Sequence, residues 1–148
     1  MEKNKNIELA VFLLRVGMGW ILTYAALDKL FNPEWSAKGY MMGAKTFTGF
    51  YHWLASGSNI GWVNFLNEWG VLLLGLALLF GIFTRWASWG GILLMLLYYL
   101  PILKFPYAGE HALLVDEHVI YALAFFLLFA VDAGKFWGLD TYLKKGDK

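Results

Sequence analysis

Long apolar runs separated by short polar segments extend along the whole chain. Four runs lie at about residues 7–31, 62–83, 86–103 and 112–131, and each is close to the roughly 20 apolar residues that a helix needs to cross the hydrocarbon of a bilayer. The segments between the runs are too short to form a separate soluble domain. The pattern therefore predicts a single all-α domain over residues 1–148, organised as a polytopic membrane four-helix bundle.

A weaker helical pattern occupies the connection between the first and second runs. Apolar residues recur there at helical spacing and polar residues fall on the opposite side; the apolar positions are Phe47, Phe50, Tyr51 and Leu54, and the polar ones are Lys45, Thr48 and His52. This spacing predicts an additional amphipathic interfacial helix in the first outer loop. The helix either anchors the loop at the membrane surface or caps the outer ends of the bundle.

Turn signals indicate the remaining boundaries. The segment Asn32-Pro33-Glu34 has a capping residue, a proline at the first helical position and an acid in the first turn, so it predicts a short helix that ends near Gly39 or Gly43. The short segment 81–85, which begins with Gly81, predicts a tight hairpin between the second and third runs. The segment 105–109 is expected to form a short outer loop before the fourth run.

Composition favours a membrane protein and removes several kinds of chemistry. Hydrophobic residues make up 59% of the chain and charged residues only 16%, whereas soluble domains carry about 25% charged residues. The chain has no cysteine, so neither an iron–sulfur cluster nor a Cys-ligated metal is expected. Its three histidines are poorly placed for haem ligation, and a net charge of +1 gives no reason to expect nucleic acid as a partner.

Basic residues are distributed unequally between the two sides of the predicted bundle. The side that carries both termini has Lys3, Lys5, Arg85, Lys135, Lys144, Lys145 and Lys148, and the other side has Lys29, Lys38, Lys45 and Lys104. Positive residues next to short loops stay in the cytoplasm. We therefore predict a multi-pass protein of the cell (plasma) membrane with both the N-terminus and the C-terminus in the cytoplasm.

Ionisable residues stand at the outer ends of the second and fourth runs, where a purely structural helix would carry Leu or Val. They are Glu68 and the segment Asp116-Glu117-His118. Such groups are costly at membrane depth unless they are paired or hydrated, so they are candidates for a functional site. Consecutive helical residues diverge by about 100°, so at most two of the three in the segment face the bundle interior. Alternatively, the acids are helix N-terminal residues stabilised by the helix dipole.

A quinone head group suits a site of this kind. Its carbonyl oxygens need hydrogen-bond donors and a proton source, and its ring packs against aromatic faces. We therefore predict Glu68, Glu117 and His118 as catalytic residues; the predicted ligand-binding residues are Asp28, Lys29, Asp116, Tyr121, Trp53 and His52. A metal site is a weaker alternative and is not expected, because no His/His or Glu-x-x-His helical spacing is present.

Two arginines are predicted as buried structural charges. Arg15 lies about 12 Å along the first helix, at a rise of 1.5 Å per residue. It either extends towards the cytoplasmic headgroups or pairs with Asp132 or with a helix C-terminal carbonyl near Gly81. Arg85, at the start of the third run, is expected to be the second buried charge. Both are better suited to organising the bundle than to catalysis.

Several motifs occur in a familiar order over nearly the whole chain. They are Leu14-Arg15-Val16-Gly17-Met18-Gly19-Trp20, Asp28-Lys29-Leu30-Phe31, Glu68-Trp69-Gly70, Gly81-Ile82-Phe83-Thr84-Arg85 and Asp116-Glu117-His118. In this combination the chain resembles the DoxX/DoxD family of small four-helix membrane proteins. The resemblance implies a subunit of a thiosulfate:quinone oxidoreductase, an enzyme that passes electrons from thiosulfate to membrane quinone and yields tetrathionate.

The sequence thus favours an integral membrane redox subunit that holds a quinone-like ligand near the outer membrane face, close to Glu68, Glu117 and His118 and beneath the amphipathic helix. The expected partners are the lipid bilayer, a second redox subunit and further copies of the same chain. The alternative is a non-catalytic protein that binds a lipid-soluble ligand or helps to assemble a redox partner. A transporter is disfavoured, because the sequence contains no internal repeat.

Overall fold

A computed structural model describes residues 4–143 of the chain. The elements, in chain order, are α1 (Lys5–Leu30), α2 (Lys38–Met42), α3 (Thr48–Leu54), α4 (Ile60–Phe65), a π-helix (Leu66–Gly70), α5 (Val71–Phe80), α6 (Thr84–Ile102), β1 (Leu103–Lys104), β2 (Tyr107–Ala108), α7 (Glu117–Ala130), a 3₁₀-helix (Ala133–Lys135) and α8 (Asp140–Leu143). Apart from the small β1–β2 hairpin the fold is all-α, and each predicted apolar run is largely helical.

The long helices form a ring in which α1 packs on α5, α5 on α6, α6 on α7, and α7 again on α1. The segment Ile60–Phe80 is one continuous helix through the π-turn, so α4 and α5 cross the bundle together. Met18, Leu22, Leu78, Phe125 and Leu128 fill the centre, and the last three are completely buried. The ring is therefore a four-helix bundle with one apolar core.

Glycine allows α1 and α5 to approach until their backbones touch. A Cβ atom on Gly19 would lie 2.7 Å from the backbone nitrogen of Leu79, and one on Gly75 would lie 2.6 Å from that of Thr23. Both distances are shorter than van der Waals contact, so neither position accepts a side chain. Close packing of small residues is the usual way in which helices associate in a membrane, where no hydrophobic force draws them together.

The two ends of the bundle differ. At one end, called here the terminal end, α1 begins and the segment 133–143 packs beneath α1, α6 and α7. At the other, the cap end, α2 and α3 pack on each other over the outer parts of α4 and α6. The prediction of a helix at the first connection is confirmed by α3, whose Tyr51 points inward and is only 2% exposed.

The prediction that a short helix begins at Asn32-Pro33 was wrong about where that helix starts. The side chain of Asn32 accepts a hydrogen bond from the backbone nitrogen of Glu34 at 3.2 Å, which closes a local turn rather than opening a helix. The helix α2 begins only at Lys38 and ends at Met42, next to the predicted stop at Gly43. Asn and Asp side chains favour turns and helix caps by the same type of bond, so the sequence signal was ambiguous.

The fourth helix is shorter than the run 112–131 predicts. Residues 103–108 form the β1–β2 hairpin, and Leu113 makes a further bridge to Tyr107. The helix α7 starts at Glu117, because the Asp116 side chain accepts a hydrogen bond from the backbone nitrogen of Val119 at 3.2 Å and caps it. The apolar residues before Asp116 thus belong to a covering loop and not to a helix.

Within the described residues, two helices have the length and composition of a membrane span: Lys5–Leu30 and Ile60–Phe80. The helix Glu117–Ala130 is apolar but shorter. Large apolar side chains cover the outside of the bundle, including Trp20, Leu73, Trp86, Leu93 and Phe126, each of which is about half exposed or more. An outer surface of this kind is suited to lipid and not to water.

Candidate functional site

At the terminal end, Arg15 is completely buried. Its Nη2 atom lies 3.3 Å from the carbonyl oxygens of Phe136 and Trp137 and donates to both. The guanidinium also lies 5.4 Å from the centre of the Phe12 ring. Arg15 therefore pairs inside the bundle and does not extend towards the headgroups. Its partners are carbonyl groups of the segment after α7.

Asp140 is the acidic member of the same cluster. Its carboxylate accepts hydrogen bonds from the backbone nitrogens of Phe83 at 2.8 Å and Thr84 at 3.0 Å, so it caps α6 from more than fifty residues away. It also attracts the positive charge of Arg15 electrostatically. Arg85 was predicted to be a second buried charge; this is wrong, because its side chain is exposed and lies over the Phe129 ring at 4.8 Å.

At the cap end, three polar side chains from three helices form a continuous chain of hydrogen bonds. The ammonium of Lys29 donates to the phenolic oxygen of Tyr98 at 3.2 Å. That phenol donates to Oδ1 of Asn67 at 2.5 Å, and Nδ2 of Asn67 donates to the carbonyl of Val63 at 3.0 Å. The last turn of α1 is thereby linked through α6 to the π-helix.

The π-helix Leu66–Gly70 carries Asn67 and lies within an otherwise α-helical segment. A π-turn widens the helix by one residue per hydrogen-bonded ring and changes the direction in which nearby side chains point, and such turns are frequent at functional sites. Here Asn67 meets Tyr98, while Glu68 comes close enough to Lys29 to attract its charge. The irregular turn is thus part of the polar cluster.

His118 and Asp116 form a pair beside this chain. Nδ1 of His118 lies 2.6 Å from Oδ2 of Asp116, and the two side chains are 18% and 9% exposed. The imidazole meets the Tyr98 ring edge to face, with ring centres 6.1 Å apart. One carboxylate therefore caps α7 and contacts the imidazole at the same time, so the structural interpretation of Asp116 holds, and its role in ligand binding stays a prediction.

Two tyrosines of the cap bind to α6. The hydroxyl of Tyr40 donates to the carbonyl of Tyr98, and that of Tyr51 donates to the carbonyl of Leu97 at 3.0 Å. Tyr40 is 43% exposed, and its partial burial, with smaller contributions from Tyr51, Asp116 and Glu117, raises its pKa to about 12. Burial likewise raises the pKa of Tyr51. Both phenols therefore remain neutral donors at physiological pH.

A cavity of about 560 Å³ lies beneath α2 and α3, between the α4–α5 segment and α6. Small-molecule sites in proteins typically enclose roughly 300–1,000 Å³. Its wall is almost entirely apolar and includes Leu74 and Leu97; the lining side chains that carry a polar group are Tyr40, Tyr51, Trp62, Asn67 and Tyr98. The hydrogen-bond chain that starts at Lys29 thus reaches the wall of the cavity at Tyr98 and Asn67.

The predicted catalytic residues are not gathered in one place. Glu117 is exposed, and its helix α7 lies diagonally across the ring from the helix that carries Glu68, so the two carboxylates are on helices that are not neighbours. His118 borders Tyr98 from the α7 side, and Glu68 approaches Lys29 from the π-helix. Glu68, Glu117 and His118 are all absent from the cavity wall.

The predicted ligand-binding residues divide into two groups. Lys29 belongs to the polar chain, and Asp28 is exposed but attracts its charge. Tyr121 packs against the apolar core. Trp53 is exposed and stacks on Phe50, and Nε2 of the exposed His52 lies 3.2 Å from the carbonyl oxygen of Met42. Of the aromatic residues of α3, Phe50 and Tyr51 line the cavity.

The sequence interpretation missed Asn67, Tyr98 and Asp140. The first two stand inside apolar runs and have polar groups at membrane depth, the same signal that drew attention to Glu68. Asp140 follows the last apolar run and has no local signal that predicts a cap on α6. Within residues 4–143, no group of three or more His, Asp or Glu side chains is arranged to hold a metal ion.

A bundle of long apolar helices with a lipid-suited surface, a buried arginine and a polar cluster beside an apolar cavity defines a small helical membrane protein. The DoxX family model matches residues 10–102, which is more than half of the chain. The chain belongs to the DoxX family, a family of membrane proteins. No curated protein and no solved structure is significantly similar to it.

Proposed function

We propose that this protein is an integral membrane redox subunit that holds a quinone-like ligand in the cap-end cavity, on the outer side of the membrane. The carrying observation is the cavity itself, an apolar space of about 560 Å³ with polar groups confined to a few side chains. Apolar walls with a small number of placed polar groups are typical of sites for lipid-soluble ligands.

The side chains present fit a quinone. Leu66, Leu74 and Leu97 offer apolar contacts for a ring and the beginning of a tail, and Phe50 and Trp62 offer aromatic faces. When bound, a quinone accepts two electrons and two protons. The chain contributes a hydrogen-bonding hydroxyl at Tyr98, which Asn67 holds in place, and apolar walls around the ligand.

The resemblance to the DoxX/DoxD proteins supports thiosulfate as the electron donor, with oxidation of two thiosulfate ions to tetrathionate releasing the two electrons. The proposal includes a second redox subunit that binds thiosulfate, because the described residues form one bundle whose cavity is apolar. Glu68, Glu117 and His118 stay predictions as catalytic residues.

A non-catalytic role is the second candidate, and a specific observation favours it. None of the carboxylates of the described residues lines the cavity, and Glu117 is exposed. A protein that only binds a lipid-soluble ligand, or only assembles a redox partner, has no need of an acid beside that ligand. The two candidates differ in whether turnover depends on the cavity.

A pair of glycine substitutions tests the proposal. Gly70 lines the cavity, and a Cβ atom there would meet only the end of Leu66 at 4.0 Å, so the backbone accepts a side chain and Gly70→Leu should occupy part of the cavity. Gly17, in α1, has no atom within 4 Å of its Cβ position and does not line the cavity, which makes Gly17→Leu the matched control.

Each variant is purified with its partners, the retained lipid-phase ligand is identified by mass spectrometry, and quinone-stimulated thiosulfate oxidation is measured. The proposal expects quinone in wild type and Gly17→Leu, and loss of both quinone and turnover in Gly70→Leu. Retained quinone without any quinone-dependent rate would support the binding role instead. A wild-type protein that neither retains quinone nor changes a quinone-dependent rate would overturn both the ligand and the enzyme.

A further inference from the structure

Lys29 is a partly buried cation that forms no ion pair with any residue of the described part of the chain. Its ammonium lies 4.9 Å from the centre of the Trp35 ring and 5.4 Å from that of Tyr98, and it donates to the Tyr98 phenol at 3.2 Å. Among residues 4–143, no carboxylate oxygen lies within ion-pair distance of it. The Trp35 ring and the Tyr98 hydroxyl therefore surround this positive charge.

Tyr98 connects this charge to the cavity. Its phenolic oxygen accepts from Lys29 and its hydroxyl proton goes to Oδ1 of Asn67. Tyr98 and Asn67 both line the cavity, whereas Lys29 lies behind them. Tyr98 thus lines the cavity and carries a hydroxyl whose oxygen is already polarised by an ammonium.

A phenol that accepts a hydrogen bond from a cation becomes a better donor, because hydrogen bonds in a chain polarise one another and those to charged groups are the stronger ones. A ligand oxygen that reaches the wall can replace Oδ1 of Asn67 as the acceptor of the Tyr98 proton. A hydrocarbon of equal size cannot, and it leaves the existing bond in place. The arrangement thus distinguishes ligands by whether they carry an accepting oxygen.

We propose that Tyr98 is the ligand-binding residue that selects molecules with a carbonyl or similar accepting oxygen, and that Lys29 is a positioning residue that strengthens and orients its hydroxyl. This inference rests on the proposed function, since it concerns the same cavity. The roles of Tyr98 and Lys29 do not depend on electron transfer. The inference therefore applies equally to a redox subunit and to a protein that only binds its ligand.

The primary test is equilibrium binding of decylubiquinone to the full chain in detergent, with decylbenzene as a competitor of related shape that lacks carbonyl groups. Tyr98→Phe should weaken decylubiquinone binding about 10-fold, the size expected for one hydrogen bond, and should leave decylbenzene binding within about 2-fold of wild type. Tyr99→Phe is the matched control on the same helix, because the Tyr99 hydroxyl donates to the carbonyl of Leu114 and not towards the cavity.

Lys29 is tested through Tyr98. Lys29→Met should weaken decylubiquinone binding several-fold, and Lys29→Arg should restore most of it, because it keeps a donor with a positive charge. Since Lys29 acts on the ligand only through the phenol, the double variant Lys29→Met/Tyr98→Phe should bind as Tyr98→Phe does alone. Additive losses in the double variant would contradict the positioning role, as a general packing defect would produce them.

Asn67→Leu provides an independent check if Tyr98→Phe fails to fold. It removes the acceptor that competes for the Tyr98 proton, so decylubiquinone binding should stay equal or become tighter. A 10-fold loss in this variant would overturn the assignment in favour of Asn67 as the contact. Wild-type protein that binds no decylubiquinone would refute the proposed function itself, whereas unchanged binding by Tyr98→Phe beside a binding wild type would refute only this inference.

Discussion

The guanidinium of Arg15 occupies the space in which a side chain on Gly81 would lie. A Cβ atom on Gly81 would stand 1.5 Å from Nη1 of Arg15 and 2.6 Å from the Cα atom of Gly138. Gly81 also ends α5 with a φ of +67°, a conformation that side-chain-bearing residues rarely adopt. The hairpin between α5 and α6 and the buried arginine thus depend on the same glycine.

Gly81→Ala should therefore destabilise the protein by at least about 2 kcal/mol, from left-handed backbone strain and displacement of Arg15 together. The measurement is thermal unfolding in detergent. Gly17→Ala is the control, because Gly17 lies within α1 with open space around it and the change should be neutral or stabilise the helix by up to about 1 kcal/mol. Equal melting temperatures for the two variants would contradict the steric account.

Arg15→Leu should lower stability by about 1–3 kcal/mol, since it leaves the partly buried carbonyls of Phe136 and Trp137 without the donor from Arg15. Arg15→Lys keeps the charge but not the planar guanidinium, so its stability should lie between those of wild type and Arg15→Leu. Unfolding of each variant in detergent, alone and combined with Asp140→Asn, measures how far the two charged residues interact. An unchanged melting temperature for Arg15→Leu would mean that the bonds to the carbonyls contribute nothing.

Asp140→Ala should lower the free energy of unfolding by about 1–2 kcal/mol, the usual effect of removing a helix cap. The carboxylate accepts from the backbone nitrogens of Phe83 and Thr84 at the start of α6. Hydrogen exchange of the first turn of α6 is the specific measurement. Faster exchange confined to that turn identifies a lost cap, whereas faster exchange along the whole helix would indicate general loosening.

Cysteines introduced at Ser58 and at Thr141 should react with a membrane-impermeant reagent from opposite faces of the membrane. The chain contains no cysteine, so each variant has a single reactive site. Ser58 lies in the exposed connection at the cap end and Thr141 in α8 at the terminal end. The expected orientation has Thr141 in the cytoplasm, from the distribution of basic residues. Labelling of both sites from the same side would reject the topology.

Tyr40 should keep its proton to an unusually high pH. Burial raises its pKa in the folded protein to about 12, whereas an unfolded tyrosine titrates near about 10. Because the folded pKa is the higher one, the contribution of this phenol to stability is complete below about pH 10 and is lost as the pH rises towards the folded value. The difference in tyrosinate absorbance between wild type and Tyr40→Phe during an alkaline titration isolates this group.

If the wild-type and Tyr40→Phe curves differ only near the pKa of an ordinary tyrosine, the Tyr40 hydroxyl is not buried against α6. The same titration in an unfolding detergent provides the reference, since both proteins should there titrate as free phenols. Loss of the high-pH step on unfolding ties the shift to the fold.

Local pattern alone determined roughly where the long helices and α3 lie. Each apolar run of suitable length is largely helical, the spacing of Tyr51 and Leu54 predicted α3, and Gly81 marked the turn after α5. These features depend on periodicity and on single-residue conformational preferences, both of which can be read within a few residues. The start of α7 escaped prediction because Asp116 ends an apolar run of which the last part forms a helix and the first part a loop.

Only the tertiary structure decided which polar groups meet. Lys29 reaches Tyr98, Tyr98 reaches Asn67, and Arg15 reaches the segment after α7, over separations of 31 to 122 residues. Such contacts depend on which helices are neighbours and on how each is rotated about its axis. Close backbone packing at Gly19 and Gly75 makes α1 and α5 neighbours. The π-turn at Leu66–Gly70 alters the rotation of its helix about the axis. Neither has a periodic signature, so the carboxylates visible in the sequence were identified while the phenol and amide that line the cavity were not.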